Sequence, residues 1–319
     1  MIPTITRERS VEVADVEAEL AALAAPNRGL AANIGTIAVT LALFVMLGAM
    51  QGGVQSMVLL VVVIVIHELG HLVAMKTFGY RDVQMFFIPL FGAAVSGVET
   101  SPSGTRRALV SLAGPVPGLV LGVVSAVLFH ASGQPIYRDL ARTFLLLNTF
   151  NLLPLNPLDG GRFLEAVVFS RSPGLRVGFQ AVTGIALLAL AISTGDVFFI
   201  VFSVLMLATV HPAYVSGKLA AALKREMRAE AATAGIHARV PTDYVARLIP
   251  LVEPRLPDAQ RTPKGVAAMI HGVWNLVWFT PPTLAVSLVL LVVYGSCVIG
   301  GVVATFGAEM SFAVPAPEP

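Results

Sequence analysis

An all-α polytopic membrane protein of about seven transmembrane helices, with a membrane-associated β-hairpin between spans two and three, is the fold class this sequence predicts. Three observations carry the prediction. Of 319 residues, 56% are hydrophobic and 13% charged, with a mean hydropathy of +0.80, whereas a soluble domain carries roughly 25% charged residues. Apolar runs recur at 31–50, 57–78, 106–130, 138–156, 175–194, 197–217 and 272–304, each near or above the ~17–25 residues needed to cross a bilayer. Basic residues are segregated as well. With the N-terminus in the cytosol and seven crossings, all but Arg138 and Arg142 of the 21 Lys and Arg fall on the cytosolic side. The positive-inside rule favours that orientation and places the C-terminus outside.

The segments follow from this layout. Residues 1–30 form a cytosolic N-terminal stretch in which Val11 to Ala25 can make a short acidic helix stopped by Pro26. No apolar stretch directly follows Met1, so this is not read as a signal peptide. Residues 31–217 hold six spans, and 272–304 add a seventh. Trp274 and Trp278 stand at the start of the seventh, where an aromatic belt is expected. Residues 305–319 form an extracytoplasmic, Pro-rich tail. The lone cysteine, Cys297, rules out an intrachain disulfide and any Cys-based metal site; in an apolar run it reads as a small packing residue. The net charge of +2 is nearly balanced, and no nucleic-acid partner is expected.

Span two contains His67-Glu68-Leu69-Gly70-His71, preceded by an unbroken run of Val, Leu and Ile from Val58 to Ile66. Imidazoles at i and i+4 share one helix face and can grip a single zinc ion. The intervening Glu68 is placed as a general base acting on water. Ionisable residues inside a membrane are costly and are functional by default. About seven residues separate His71 from the end of the run, a depth of roughly 10 Å at 1.5 Å per residue. Water must reach the site through a cavity open to the cytosol.

Between spans two and three, Val83–Ile88 and Ala93–Val98 flank Pro89-Leu90-Phe91-Gly92, which reads as a hairpin. It is either an edge onto which an extended substrate adds a strand or an interfacial loop that seals the cavity. Leu112-Ala113-Gly114-Pro115-Val116-Pro117-Gly118 at the start of span three permits close helix approach and a local backbone break.

Span four ends in Asn148-Thr149-Phe150-Asn151-Leu152-Leu153-Pro154-Leu155-Asn156-Pro157-Leu158-Asp159-Gly160-Gly161. Two prolines break the helix there, and broken backbone at membrane depth is tolerated where it lines a polar cavity. Alone, Asp159 would read as a helix N-cap. Beside a two-histidine site that lacks a third protein ligand, it reads as the missing carboxylate of a His₂-carboxylate zinc set. His130, His211, His237 and His271 have no partner at ligand spacing.

From Lys218 to residue 271 the chain is polar. A basic, Ala-rich helix to about Ala234 is followed by a linker carrying Pro241, Pro250, Pro254, Pro257 and Pro263. Residues 218–271 are expected to lack a core of their own. Their basic excess either contacts anionic lipid headgroups or is simply solvated.

Taken in order, His67-Glu68-Leu69-Gly70-His71, Ala113-Gly114-Pro115-Val116-Pro117-Gly118 and the Asn151–Gly160 stretch make residues 31–216 resemble the site-2 protease family of intramembrane zinc metalloproteases, in a compact form with no PDZ insertion. The resemblance implies one Zn²⁺ per chain held by His67, His71 and Asp159, with Glu68 activating water and Asn151 binding the substrate carbonyl or oxyanion. It also implies a hairpin that engages substrate. Expected substrates are single-span membrane proteins, such as already trimmed anti-sigma factors, and the expected location is a bacterial plasma membrane. The span at 272–304 falls outside the resemblance and is assigned no catalytic part. Two other readings use the same residues: a metal transporter with a transit site at His67, His71 and Asp159, and an inactive relative that binds membrane proteins without cutting them.

Overall fold

A computed structural model describes residues 11–24, 54–88, 92–99, 102–232 and 240–313. The expected first span at 31–50 and the hairpin tip at 89–91 lie outside them. The described residues form twelve α-helices and one hairpin. In chain order these are α1 (Val13–Ala24), α2 (Val54–Thr77), β1 (Arg81–Ile88), β2 (Gly92–Val98), α3 (Gly104–Ala113), α4 (Pro115–Ser132), α5 (Pro135–Asn151) and α6 (Asp159–Val167). There follow α7 (Pro173–Thr194), α8 (Val197–Ala208), α9 (Val210–Ala232), α10 (Thr242–Val252), α11 (Pro263–Trp278) and α12 (Leu284–Ala313).

Among the described residues, five stretches are long and apolar enough to cross a membrane: Val54–Thr77, Gly104–Ser132, Pro173–Thr194, Phe199–Arg228 and Leu284–Phe312. The chain is an integral membrane protein. Helix α5 was expected as a span over 138–156; it ends at Asn151 and is 17 residues long, with Arg138, Asp139 and Arg142 in its first half. It is not among the five.

The chain folds into two compact units, one of residues 27–99, 103–171 and 281–319, the other of 1–26, 100–102 and 172–280. In the first unit, α2 packs against both strands of the hairpin and against α3, α4 and α5. The hairpin expected from the sequence is present, antiparallel, pairing Gln84 with Ser96, Met85 with Val95 and Phe86 with Ala94, with a register shift between Arg81 and Gln84. Its far end is tied to α3. Glu99 accepts from the Ser103 backbone N–H at 3.0 Å and pairs with Arg107 at 2.6 Å. Burial, and next to it Glu99, raise the Tyr80 phenol well above its ordinary pKa. Helix α3 gives way to α4 at Gly114-Pro115, the break anticipated from the sequence.

Helix α12 belongs to this same unit and packs on α3, α4, α5 and α6. That differs from the expectation in two ways. The last span runs from Leu284 to Ala313 rather than over 272–304, so residues to 313 of the supposed tail are helical. It also lies within the core that surrounds the metal-binding motif, where Leu290 and Tyr294 join Ala108, Leu112, Leu152, Phe163 and Val167.

The second unit contains the other surprise. Residues 242–278, read as linker and span start, instead form α10 and α11, which pack with α1 and α9 around a core of their own. Val245, Leu248, Ile249 and Val252 from α10 meet Val266, Ile270, Val273, Trp274 and Val277 from α11 and Val16 from α1. These apolar residues follow the i, i+3, i+4, i+7 stripe of an amphipathic helix. The prolines obscure it, although Pro263 sits at N1, where it starts a helix rather than breaking one. Trp274, expected in an interfacial belt, is 2% exposed and packs edge-on against Tyr244 and Trp278. Arg228 and Lys224 of α9 donate to the carbonyls of Val277 and Phe279, capping the end of α11.

Ile270 is fully buried in this second core, and Ile-to-Ala truncations at such positions typically cost ~2–5 kcal/mol. Ile270→Ala is expected to lower the melting temperature of the detergent-solubilised chain and expose Thr242–Trp278 to limited proteolysis. Lys264→Ala, at an exposed position on the same helix, is expected to do neither.

Candidate metal centre

Helix α2 buries one stripe, comprising Met57, Val63, Ile64, His67, Glu68 and His71. The helical period places His67 and His71 one turn apart on the same face, with ring centroids 4.8 Å apart. Asp159 arrives from the break after α5. The turn is held by backbone bonds from Leu155 N–H to Leu153 O at 2.8 Å and from Leu158 N–H to Leu155 O at 2.9 Å. The Asn156 amide donates to Glu165 on α6 at 3.0 Å. Asp159 opens α6 but does not cap it: the N-cap position is Leu158, with no side-chain cap bond. The carboxylate turns to the histidines instead.

Three atoms converge there. His67 Nε2, His71 Nε2 and Asp159 Oδ2 form a triangle with all three sides at 3.1 Å. The residues are 4%, 7% and 7% exposed, so water does not screen them. Their neighbours decide what the triangle means. His67 Nδ1 lies 2.8 Å from Asn148 Oδ1, while Asn148 Nδ2 donates to Phe144 O at 2.7 Å. His71 Nδ1 lies 2.8 Å from Val110 O. A carbonyl oxygen can only accept, so each imidazole carries its proton on Nδ1 and presents a bare Nε2. Two lone pairs and a carboxylate oxygen therefore face one another, and they repel unless a cation lies between them.

The dimensions fit a metal ion. Zinc bonds of ~2.0–2.1 Å in a tetrahedron give ligand–ligand edges of ~3.3–3.4 Å, close to those observed, and two His plus one carboxylate leave the fourth position open. Among the described residues this is the one cluster of three His, Cys, Asp or Glu with ligand atoms in reach of each other.

The other expected site residues are placed as follows. Glu68 sits beside His67 on α2 and is 8% exposed. Asn151 is half-buried at the end of α5, and its amide donates back to Leu147 O at 3.0 Å. The remaining histidines stand apart. His130 reaches Ser311 at 3.1 Å, His271 reaches Asn275 at 3.0 Å, His211 is exposed and His237 lies outside the described residues.

Sequence reasoning placed Asn148 at the head of the broken stretch but gave it no role; it is fully buried. Its signal was available, since an amide set in Leu145-Leu146-Leu147-Asn148 is a polar group in an apolar helix and needs a partner. The Ala113–Gly118 motif also has a more definite task than general packing. A Cβ on Gly114 would overlap the His71 ring, and one on Gly118 would overlap the Asn148 amide. A Cβ on Gly70, between the two histidines, would overlap the Ala113 carbonyl. The glycines let α2, α4 and α5 close on the imidazoles.

Partners of metal-ligating histidines typically contribute 10–100-fold to metal affinity. Asn148→Ala leaves the His67 Nδ1–H without its acceptor, and zinc affinity measured by competition with a chromogenic chelator is expected to fall by about that factor.

Parts of the chain are similar to known proteins. Residues 55–145 match Peptidase family M50. A zinc metalloprotease of Methanocaldococcus jannaschii is 32% identical over 116 residues, covering 35% of this chain and 33% of that protein. Stage IV sporulation protein FB of Bacillus subtilis is 30% identical over 135 residues, covering 40% of this chain and 45% of that protein. The chain thus spans between a third and under half of the length of these curated relatives. A solved structure, the site-2 protease from Methanocaldococcus jannaschii, aligns with 54% of this chain and 86% of its own at a TM-score of 0.41 and 22% identity, too loose a likeness to compare residue with residue. The stretch of this chain that is similar to Peptidase family M50, residues 55–145, contains both His67 and His71.

Proposed function

We propose that this protein is an intramembrane zinc metallopeptidase of the site-2 type, hydrolysing a peptide bond within the membrane-spanning segment of a substrate protein near the cytosolic face. The observation that carries this reading is the 3.1 Å triangle of three buried acceptor atoms, with a buried glutamate on the neighbouring position of α2. The zincin motif and the relatives named as zinc metalloproteases support it.

His67, His71 and Asp159 would hold one zinc ion. When bound, zinc supplies Lewis-acid polarisation of a carbonyl and brings the pKa of water down to about 7. Glu68 takes the proton from the attacking water as its oxygen bonds to the carbonyl carbon. It then delivers that proton to the amine as the C–N bond breaks. Asn151, at the mouth of the helix break, donates to the substrate carbonyl once its amide leaves Leu147 O. A helical substrate hides its backbone groups, so it must unwind locally first, and pairing with an edge of the β1–β2 hairpin would hold the unwound strand.

Single-span membrane proteins resembling trimmed anti-sigma factors are the substrates in this reading. The membrane is a bacterial plasma membrane, with the N-terminus cytosolic and the C-terminus outside, on the segregation of basic residues. The basic residues of α9 favour anionic headgroups at the cytosolic surface.

Glu68→Gln preserves shape and removes the base. Cleavage of a single-span substrate in proteoliposomes is expected to slow ~10²–10⁴-fold while one zinc per chain stays bound; full cleavage by this variant would sink the mechanism. Stripping the metal with a chelator is expected to abolish cleavage, and added zinc to restore it. Zinc flux across the same vesicles without any proteolysis would favour the transporter reading instead.

A further inference from the structure

The last helix, α12, carries a phenol into the core beside the metal centre. Tyr294 Oη donates to the carbonyl of Leu152 at 2.7 Å. Leu152 is fully buried and sits where α5 ends, so its carbonyl is one of the acceptors that a helix C-terminus leaves without an intrahelical partner. In an apolar interior such an acceptor needs a donor, and so does the phenol.

The same carbonyl is also the floor on which the start of α6 rests. A Cβ on Gly160 would overlap Leu152 O, so the residue following Asp159 lies directly on the group that Tyr294 holds. From the other side, the Tyr294 ring stacks on Phe163 with centroids 4.6 Å apart and planes 15° from parallel. Phe163 is fully buried and stands one turn after Asp159 on the same helix. Tyr294 therefore contacts both banks of the break: the residue where α5 stops, and the helix that Asp159 begins.

Helix α12 is fixed well enough to act as a brace. Arg171, just past α6, donates to Ser287 Oγ at 2.7 Å and to Pro282 O at 3.0 Å. Thr305 meets Thr149 of α5 at 3.1 Å, and Arg142 of α5 pairs with Glu309.

We propose that Tyr294 is a positioning residue of the metal centre, holding the α5–α6 break so that the Asp159 carboxylate meets the two imidazoles. This makes the last helix a part of the site, and it rests on the reading of Asp159 as a metal ligand. Groups hydrogen-bonded directly to metal ligands typically contribute 10–100-fold to affinity, and Tyr294, one contact further out, is expected at the low end of that range.

The test uses the full chain and reads zinc affinity by chelator competition, together with the visible absorption of the cobalt(II)-substituted protein. Tyr294→Phe keeps the ring and removes the donor; zinc affinity is expected to fall about tenfold and the cobalt bands to shift. Val303→Ala, at an exposed position of the same helix, is expected to change neither. In an Asp159→Ala background, Tyr294→Phe is expected to add nothing further, because its effect passes through that carboxylate. Phe163→Leu loosens the ring from the other side and is expected to weaken zinc binding in the same way, which covers a failure of Tyr294→Phe to fold. Unchanged zinc affinity in both Tyr294→Phe and Phe163→Leu, or a full additive loss in the Asp159→Ala background, overturns the proposal. If Asp159→Ala itself binds zinc as tightly as the parent, the ligand assignment has failed rather than the brace.

Discussion

Two hydrogen bonds to the outer nitrogens of His67 and His71 govern the rest of this structure. By accepting from the Nδ1–H groups, Asn148 Oδ1 and Val110 O leave both Nε2 atoms as bare acceptors turned toward Asp159. A pair of imidazoles in an apolar helix would ordinarily be a liability. Here they are set in fixed tautomers, and the cost of burying them is offset only when a cation joins the cluster. Much of the surrounding architecture keeps these two bonds in place. The Ala113–Gly118 turn lets α4 approach without displacing a ring, and α5 delivers Asn148 from a helix otherwise buried through Ala141, Phe144 and Leu145.

The two units are held together internally by different physics. In the site unit, helices crossing the membrane gain little from exchanging lipid for protein, so association rests on small residues, close contacts and a few hydrogen bonds between helices. Gly122 against Leu145, Thr149 against Thr305 and the Arg142–Glu309 pair are of that kind. The other unit contains α10 and α11, which are amphipathic rather than uniformly apolar. Their buried Val, Leu and Ile side chains each contribute roughly 1.5–3 kcal/mol by leaving water. Packing of that sort does not need a bilayer.

How far the sequence could be read follows from the range of each signal. His67-Glu68-Leu69-Gly70-His71 is legible because its pattern is local, two histidines and a glutamate within one turn and a half of helix. Asp159 was legible because two prolines and two glycines announce a break that a simple span would not contain. The hairpin was legible from turn residues between β-prone runs, and it formed as Arg81–Ile88 with Gly92–Val98. Asn148 escaped because its partner lies on another helix, at a sequence distance no pattern spans. The helices at Thr242–Val252 and Pro263–Trp278 escaped for a different reason: prolines at their ends were read as punctuation of a linker, although Pro263 is a helix start. The last span was placed too early because α11 and α12 are both apolar and only Phe279–Thr283 separates them. Its place against Leu152 and Phe163 is a tertiary fact with no local trace.

The position of Tyr294 in the chain has a consequence for biogenesis. Synthesis runs from the N-terminus, so His67, Glu68, His71 and Asp159 all leave the ribosome well before the helix that carries the phenol. On the proposed role of that helix, a nascent chain possesses every reactive group while its carboxylate is still unbraced. A settled metal centre then waits for that helix to insert, and a translation product cut short before Tyr294 would reach the membrane with its ligands unset.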